Sequence, residues 1–186
     1  MTNKYRAGDL QVDKLIVLGL GLLGSSICAA AKKLGLANEI IGISRRQSTI
    51  EIAHAKEIID KSSDSLATLA GNFGEDDLLV LAVPTLAMKS VLSECQEHVP
   101  PSVTITDVAS VKTKIIEFAE QVYGDIPKNF VPGHPIAGSE KSGINAANPD
   151  LFKNHKVVLT PKEMTSQGHT NLSLIHISEP TRQKPI

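Results

Sequence analysis

The stretch KLIVLGLGLLGSS, residues 14–26, restricts the fold of this chain more than any other. A short apolar run ends at Gly19, and from Gly21 the apolar residues Ile27, Ala30, Ala31 and Leu34 recur at helical spacing. A strand therefore feeds straight into a helix through Gly19, Gly21 and Gly24. The first glycine permits a tight turn, the second leaves room for backbone to approach a pyrophosphate, and the third lets the helix pack closely on the strand. Amides of the first helical turn have no partner inside the helix and suit an anion. Gly19, Gly21, Leu22, Leu23 and Gly24 are thus the expected phosphate contacts of a dinucleotide site.

The strand and helix cycle then repeats. EIIGIS (39–44) reads as a strand, QSTIEIAHAKEII (47–59) as a helix, DLLVLAVP (77–84) as a buried strand, and TLAMKSVLSECQEH (85–98) as a helix. SVTITD (102–107) is strand-like, KTKIIEFAEQVYG (112–124) is helical, and KVVLT (156–160) is strand-like again. Strands alternating with helices imply parallel neighbours joined by crossovers, so the expected fold is α/β, a doubly wound, mostly parallel sheet of Rossmann type.

A length of 186 residues suits one domain, or one domain and a fragment of a second. The net charge is −1, with 19 basic and 20 acidic side chains interspersed, which leaves no basic footprint for nucleic acid or an anionic membrane. No apolar run approaches the roughly 20 residues of a spanning helix. A soluble, cytoplasmic protein is expected. Cys28 and Cys95 have neither metal-ligand spacing nor a redox-pair motif and are expected to be buried in helices.

The tip of the second strand selects the dinucleotide. An NAD site normally places an acid there for the ribose hydroxyls; this chain has Ser44 followed by Arg45 and Arg46. A hydroxyl and two guanidinium groups suit a ribose phosphate, which favours NADP over NAD, although the same residues also make an ordinary basic turn.

In an open parallel sheet the ligand lies beyond the carboxyl ends of the strands. Three segments fall there: AVPT, with Val83 and Pro84; TDVASVK, with Asp107 and Ser110; and GHPIAGSEKSG (133–143), with His134. Val83, Pro84 and Asp107 are expected to frame the cofactor, while Asp107 could equally satisfy loop amides and Ser110 could cap a helix. His54 and His98 fall on helices, His155 opens a strand, and His169 and His176 lie in the tail. His134 is the histidine expected on a loop at the ligand edge, where imidazole can take a hydroxyl proton near neutral pH.

Taken together, GLGLLGSS, LAVPTLAM, TDVASVK and FVPGHPIAGSEKSG followed by LFKNHKVVLTP resemble the prephenate and arogenate dehydrogenases of tyrosine biosynthesis, particularly the bacterial cyclohexadienyl dehydrogenases. The resemblance covers about residues 14–165. It implies oxidative decarboxylation of prephenate to 4-hydroxyphenylpyruvate, or of arogenate to tyrosine, with NAD(P)+ as hydride acceptor. It also implies that His134 binds the ring hydroxyl and takes its proton, and that Ser110 orients His134 and contacts the substrate. The family's NAD-using members carry an acid where this chain has Ser44. A helical C-terminal domain, which forms the homodimer and supplies an arginine for the substrate carboxylates, is expected to be missing here. A non-catalytic NAD(P)-binding module, or a Rossmann dehydrogenase for another hydroxy acid, would share the glycine loop but leave GHPIAGSEKSG unexplained.

The tail departs from the pattern. LSLIHISEPTR (172–182) reads either as a short edge strand or, by resemblance, as one translated frame of a transposase adapter used in sequencing libraries. On the second reading residues 1–170 form the dinucleotide-binding domain and residues 171–186 are a non-native tail.

Overall fold

The computed structural model describes residues 12–161, together with 165, 168–170 and 173. Chain order is β1 (Val12–Leu18), α1 (Leu22–Leu34), β2 (Ala37–Ile43), α2 (Gln47–Ala55), β3 (Lys61–Ser63), β4 (Leu78–Leu81), α3 (Met88–His98), β5 (Thr104–Asp107), α4 (Lys112–Tyr123), β6 (Phe130–Val131), β7 (Gly133–Pro135) and β8 (Val157–Leu159). Six strands form one sheet in the order β3-β2-β1-β4-β5-β6, and every neighbouring pair in it is parallel. This is the doubly wound order, with its reversal between β1 and β4.

The strands read as continuous apolar runs because both faces of the sheet are covered. Leu15, Val17, Ile40, Leu78 and Val80 belong to one core cluster with Ile27, Cys28, Ile50 and Ala53 of α1 and α2. Ile16, Leu18, Ile41, Leu79, Leu81 and Ile105 turn to the other face, with Met88, Leu92, Cys95, Ile115 and Ala119 of α3 and α4. Both cysteines are buried and unpaired, as expected. Burial pushes the Cys28 thiol up to about 12, and it raises Cys95 as well. Among the described residues no helix is long and apolar enough to cross a membrane.

The structure corrects the sequence reading at several elements. The helix expected over 47–59 ends at Ala55, because Glu57 adopts a left-handed conformation (φ +54°) and Ile58 and Ile59 turn inward to the core. The chain then forms β3, which Lys61, Ser62 and Ser63 gave no apolar reason to expect. Short β6 was likewise unforeseen. The segment KVVLT does form a strand, yet β8 lies outside the main sheet and pairs antiparallel with β7. No α-helix separates β7 from β8, and an antiparallel return needs no crossover. His134 consequently sits on a strand rather than a loop. Of the tail from Asn171 onward only Ser173 is described; its hydroxyl donates to Thr106 Oγ1 at 3.1 Å, and the adapter reading concerns residues outside the described set.

Candidate active site at the carboxyl edge of the sheet

Side by side along this edge lie the loops that follow β2, β1, β4 and β5, with β7 beyond them. Adjacent strands are about 4.8 Å apart, so the row from β2 to β6 spans roughly 19 Å. Backbone bonds lock it together: Gly19 N–H donates to Ile43 O at 3.0 Å, and Ala82 N–H to Leu18 O at 2.8 Å.

At the centre, Gly19 has φ +101°, and a Cβ there would be driven into the carbonyl of Ala82, with Val83 Cγ1 3.2 Å away. A Cβ on Gly24 would collide with the carbonyl of Gly19. Gly21 differs, for nothing lies within 4 Å of its would-be Cβ. Gly21 is also the N-cap of α1, without a side-chain cap or an acid in the first turn, and Ser25 N–H to Gly21 O at 3.0 Å is the first bond of the helix. The amides of Leu22, Leu23 and Gly24 precede that bond and have no acceptor within the helix. Packing therefore demands glycine at 19 and 24, while Gly21 leaves clear the space beside the free amides, a cradle that fits a pyrophosphate.

At the tip of β2, Ser44 Oγ accepts a bond from Arg46 N–H at 3.2 Å, and Arg46 is the N-cap of α2. Arg45 and Arg46 are exposed, and among the described residues neither guanidinium makes an ion pair. On the other side of the glycines, Val83 is half-buried against the core and Pro84 is exposed.

Asp107 ends β5 fully buried and does not face the cofactor crevice freely. Its carboxylate accepts bonds from Ala109 N–H (2.9 Å), Gly133 N–H (3.2 Å) and Lys112 Nζ. Burial raises its carboxyl and lowers the Lys112 ammonium, while the attraction between the two acts against both shifts. Asp107 thus serves the fold of the edge, the second of the two readings its sequence position allowed. Ser110 is exposed, and α4 is capped by Val111 with no side-chain bond, which overturns the capping reading of Ser110.

His134 is half-buried on β7 opposite Val158. No hydrogen bond joins it to Ser110 among the described residues; the bonds of Gly133 with Asp107 and Lys112 tie β7 to the ends of the β5–α4 loop that carries Ser110. After Pro135 the chain returns to the glycine loop. Ala137 and Ile144 pack in the cluster that includes Leu22 and Leu23, Asn148 N–H donates to Ser26 Oγ at 3.0 Å, and Lys33 pairs with Asp150 at 2.7 Å. The segment carrying His134 is anchored on the helix that carries the phosphate cradle. His155, just before β8, holds Ile136 O through Nδ1 at 2.8 Å. Sequence reasoning assigned nothing to Lys112 or to this return segment. The lysine five residues beyond a strand-ending aspartate was the available signal.

A family model described as "Prephenate dehydrogenase, nucleotide-binding domain" matches residues 27–178. The chain is 38% identical over 148 residues to a prephenate dehydrogenase of Lactococcus lactis, covering 79% of this chain and 40% of that protein. Two solved structures superpose closely. A prephenate dehydrogenase of Aquifex aeolicus in complex with hydroxyphenyl propionate and NAD+ gives a TM-score of 0.79 at 29% identity, over 88% of this chain and 56% of that one. A Synechocystis arogenate dehydrogenase gives 0.73 at 35% identity, over 85% and 53%. The chain thus spans about two fifths of the curated relative and just over half of each solved chain.

Proposed function

The chain belongs to the prephenate dehydrogenase family through its nucleotide-binding domain, and we propose that it provides the cofactor site and the catalytic base for oxidative decarboxylation of prephenate or arogenate. The observation that supports this reading is the set of bonds that tie β7, the strand bearing His134, to the end of β5 and its return segment to the helix of the Gly19–Gly24 cradle.

Gly21 and the amides of Leu22 and Leu23 would hold the pyrophosphate of a dinucleotide, with Val83 and Pro84 beside it. The nicotinamide of a bound cofactor would supply the acceptor for the hydride of the hydroxyl-bearing ring carbon. His134 accepts a hydrogen bond from the ring hydroxyl and takes its proton as that carbon becomes a carbonyl. Loss of carbon dioxide from the opposite ring carbon then returns electrons to the ring, which becomes aromatic as the oxygen regains a proton. Ser110, exposed and without a capping duty, orients the imidazole and meets the substrate. The cofactor is NADP in preference to NAD: Ser44 stands where an acid would bind the ribose diol, and two exposed guanidinium groups, without an ion pair among the described residues, follow it.

The test is a chimera in which residues 12–160 replace the matching segment of the Lactococcus lactis relative, assayed for nicotinamide reduction with prephenate and with arogenate. Loss of a general base costs about a hundredfold to ten-thousandfold, so His134→Asn should lower kcat by that much with cofactor affinity unchanged. A drop of less than about tenfold would remove His134 from the base role.

A further inference from the structure

The strand that carries His134 is held on its second edge by an ion pair instead of another strand. Along β7 the bonds of Thr160 N–H to Pro132 O (3.0 Å) and Ile136 N–H to Lys156 O (2.8 Å) set the register. Bonded residues alternate in an antiparallel ladder, so His134 faces β8 with its main-chain groups and Gly133 faces away. Both polar groups of Gly133 are nonetheless satisfied. Its N–H donates to Asp107 Oδ1 at 3.2 Å, and its carbonyl accepts from Lys112 Nζ at 2.5 Å while the same ammonium bonds Asp107 Oδ2. The grip is tight, because a Cβ on Gly133 would lie 2.8 Å from Asp107 O and 3.2 Å from Thr106 Oγ1. The Asp107 side chain is fully buried and that of Lys112 is 13% exposed.

A buried pair of this kind adds little net stability over well-packed apolar residues, since desolvation offsets the attraction. What apolar residues cannot do is bind both the N–H and the C=O of one residue, and so fix the two peptide groups that flank it. Other carboxylate–lysine contacts, such as Asp77 with Lys14 and Asp60 with Lys32, secure segments remote from His134. We propose that Lys112, through its pairing with Asp107 and its bond to Gly133, is a positioning residue that sets the direction of the His134 imidazole relative to Ser110. The inference rests on the reading of His134 as the base, and it adds a residue to which no role was attached.

The decisive variant is the pair Asp107→Asn with Lys112→Met. It removes both charges together, keeps an oxygen for the Gly133 N–H, and frees the Gly133 carbonyl. In the 186-residue chain it should fold, bind NAD+ or NADP+ within about twofold of the parent, and move the His134 ring resonances. In the chimera it should lower kcat by at least about tenfold with little change in KM, since misplacement by 1 Å can cost about a hundredfold. A folded double variant with unmoved His134 resonances and kcat within about twofold of the parent overturns the proposal. An inactive parent chimera whose His134 resonances respond to the double variant counts against the dehydrogenase reading and supports the clamp. If the double variant does not fold, the native chain decides: the Gly133 amide should exchange slowly with solvent although it lies outside the β7–β8 ladder, and exchange at the rate of an open amide overturns the clamp.

Discussion

Replacing Gly21 with alanine separates the ligand role of the glycine loop from its packing role. The backbone at Gly21 (φ −76°, ψ −166°) is open to alanine, and the new methyl would meet nothing within 4 Å. Losing glycine as N-cap costs at most about 1 kcal/mol, which shifts Tm by roughly 2–4 °C in a chain of this size. The same methyl stands where a pyrophosphate must approach the amides of Leu22 and Leu23. Charge-assisted bonds are worth about 1.5–3 kcal/mol each, so pushing the phosphates off one of them weakens binding by about tenfold to a hundredfold. Gly24→Ala behaves oppositely: its Cβ strikes the Gly19 carbonyl, an overpacking cost of about 1–3 kcal/mol that the gain of about 1 kcal/mol in helix propensity only partly offsets. Thermal unfolding and calorimetric titration with NAD+ and NADP+ read the two effects separately. A Gly21→Ala chain that binds both cofactors as tightly as the parent would refute the cradle argument.

Further outcomes are equally specific. Arg45→Ala should leave stability alone, because the side chain is exposed and makes no ion pair among the described residues, and should weaken NADP+ by at least about tenfold while sparing NAD+; equal losses would mean that the arginines form only a solvated turn. Ser44→Asp should reverse the preference, since a carboxylate repels the ribose phosphate and accepts from a free diol. Cys28 holds its proton in the folded chain up to about pH 12, whereas an unfolded thiol loses it near about 8.5. Its contribution to stability is therefore complete below about pH 8.5 and declines as pH rises toward 12, measurable as a falling denaturation midpoint. Rapid labelling of Cys28 in the native chain at neutral pH would contradict that burial.

The parallel sheet was legible because its central strands are apolar runs separated by amphipathic helices, and because the glycines at 19, 21 and 24 sit at a strand–helix junction. What escaped notice has no such pattern. β3 is Lys-Ser-Ser, held in place by pairing with Ile41, Gly42 and Ile43 rather than by any apolarity of its own. β6 is two residues long, below what periodicity can register. The left-handed Glu57 that ends α2 carries no glycine to announce it. At the site, the residue types at the edge could be read, but the commitment of Asp107 could not. Whether a strand-ending aspartate faces a ligand or its own neighbours depends on the lysine that opens the next helix and on a glycine 26 residues away.

The tripeptide Gly133-His134-Pro135 also becomes intelligible through its register. Side chains alternate along a strand, and the burial here is buried, half-buried, buried, so the imidazole emerges on the face opposite to its neighbours. Glycine is needed first because β7 presses against the end of β5. Proline is tolerated third because that position, like Gly133, is one where the backbone points away from β8 and no ladder donor is lost. Only the central residue both bonds β8 and projects outward. A histidine there has its backbone fixed on one side by Val158 and its preceding residue fixed on the other by Asp107 and Lys112, while its side chain stays free of protein partners among the described residues. That combination, a backbone over-determined around an imidazole that makes no hydrogen bond among the described residues, leaves a ring nitrogen open to the hydroxyl proton that His134 is proposed to take.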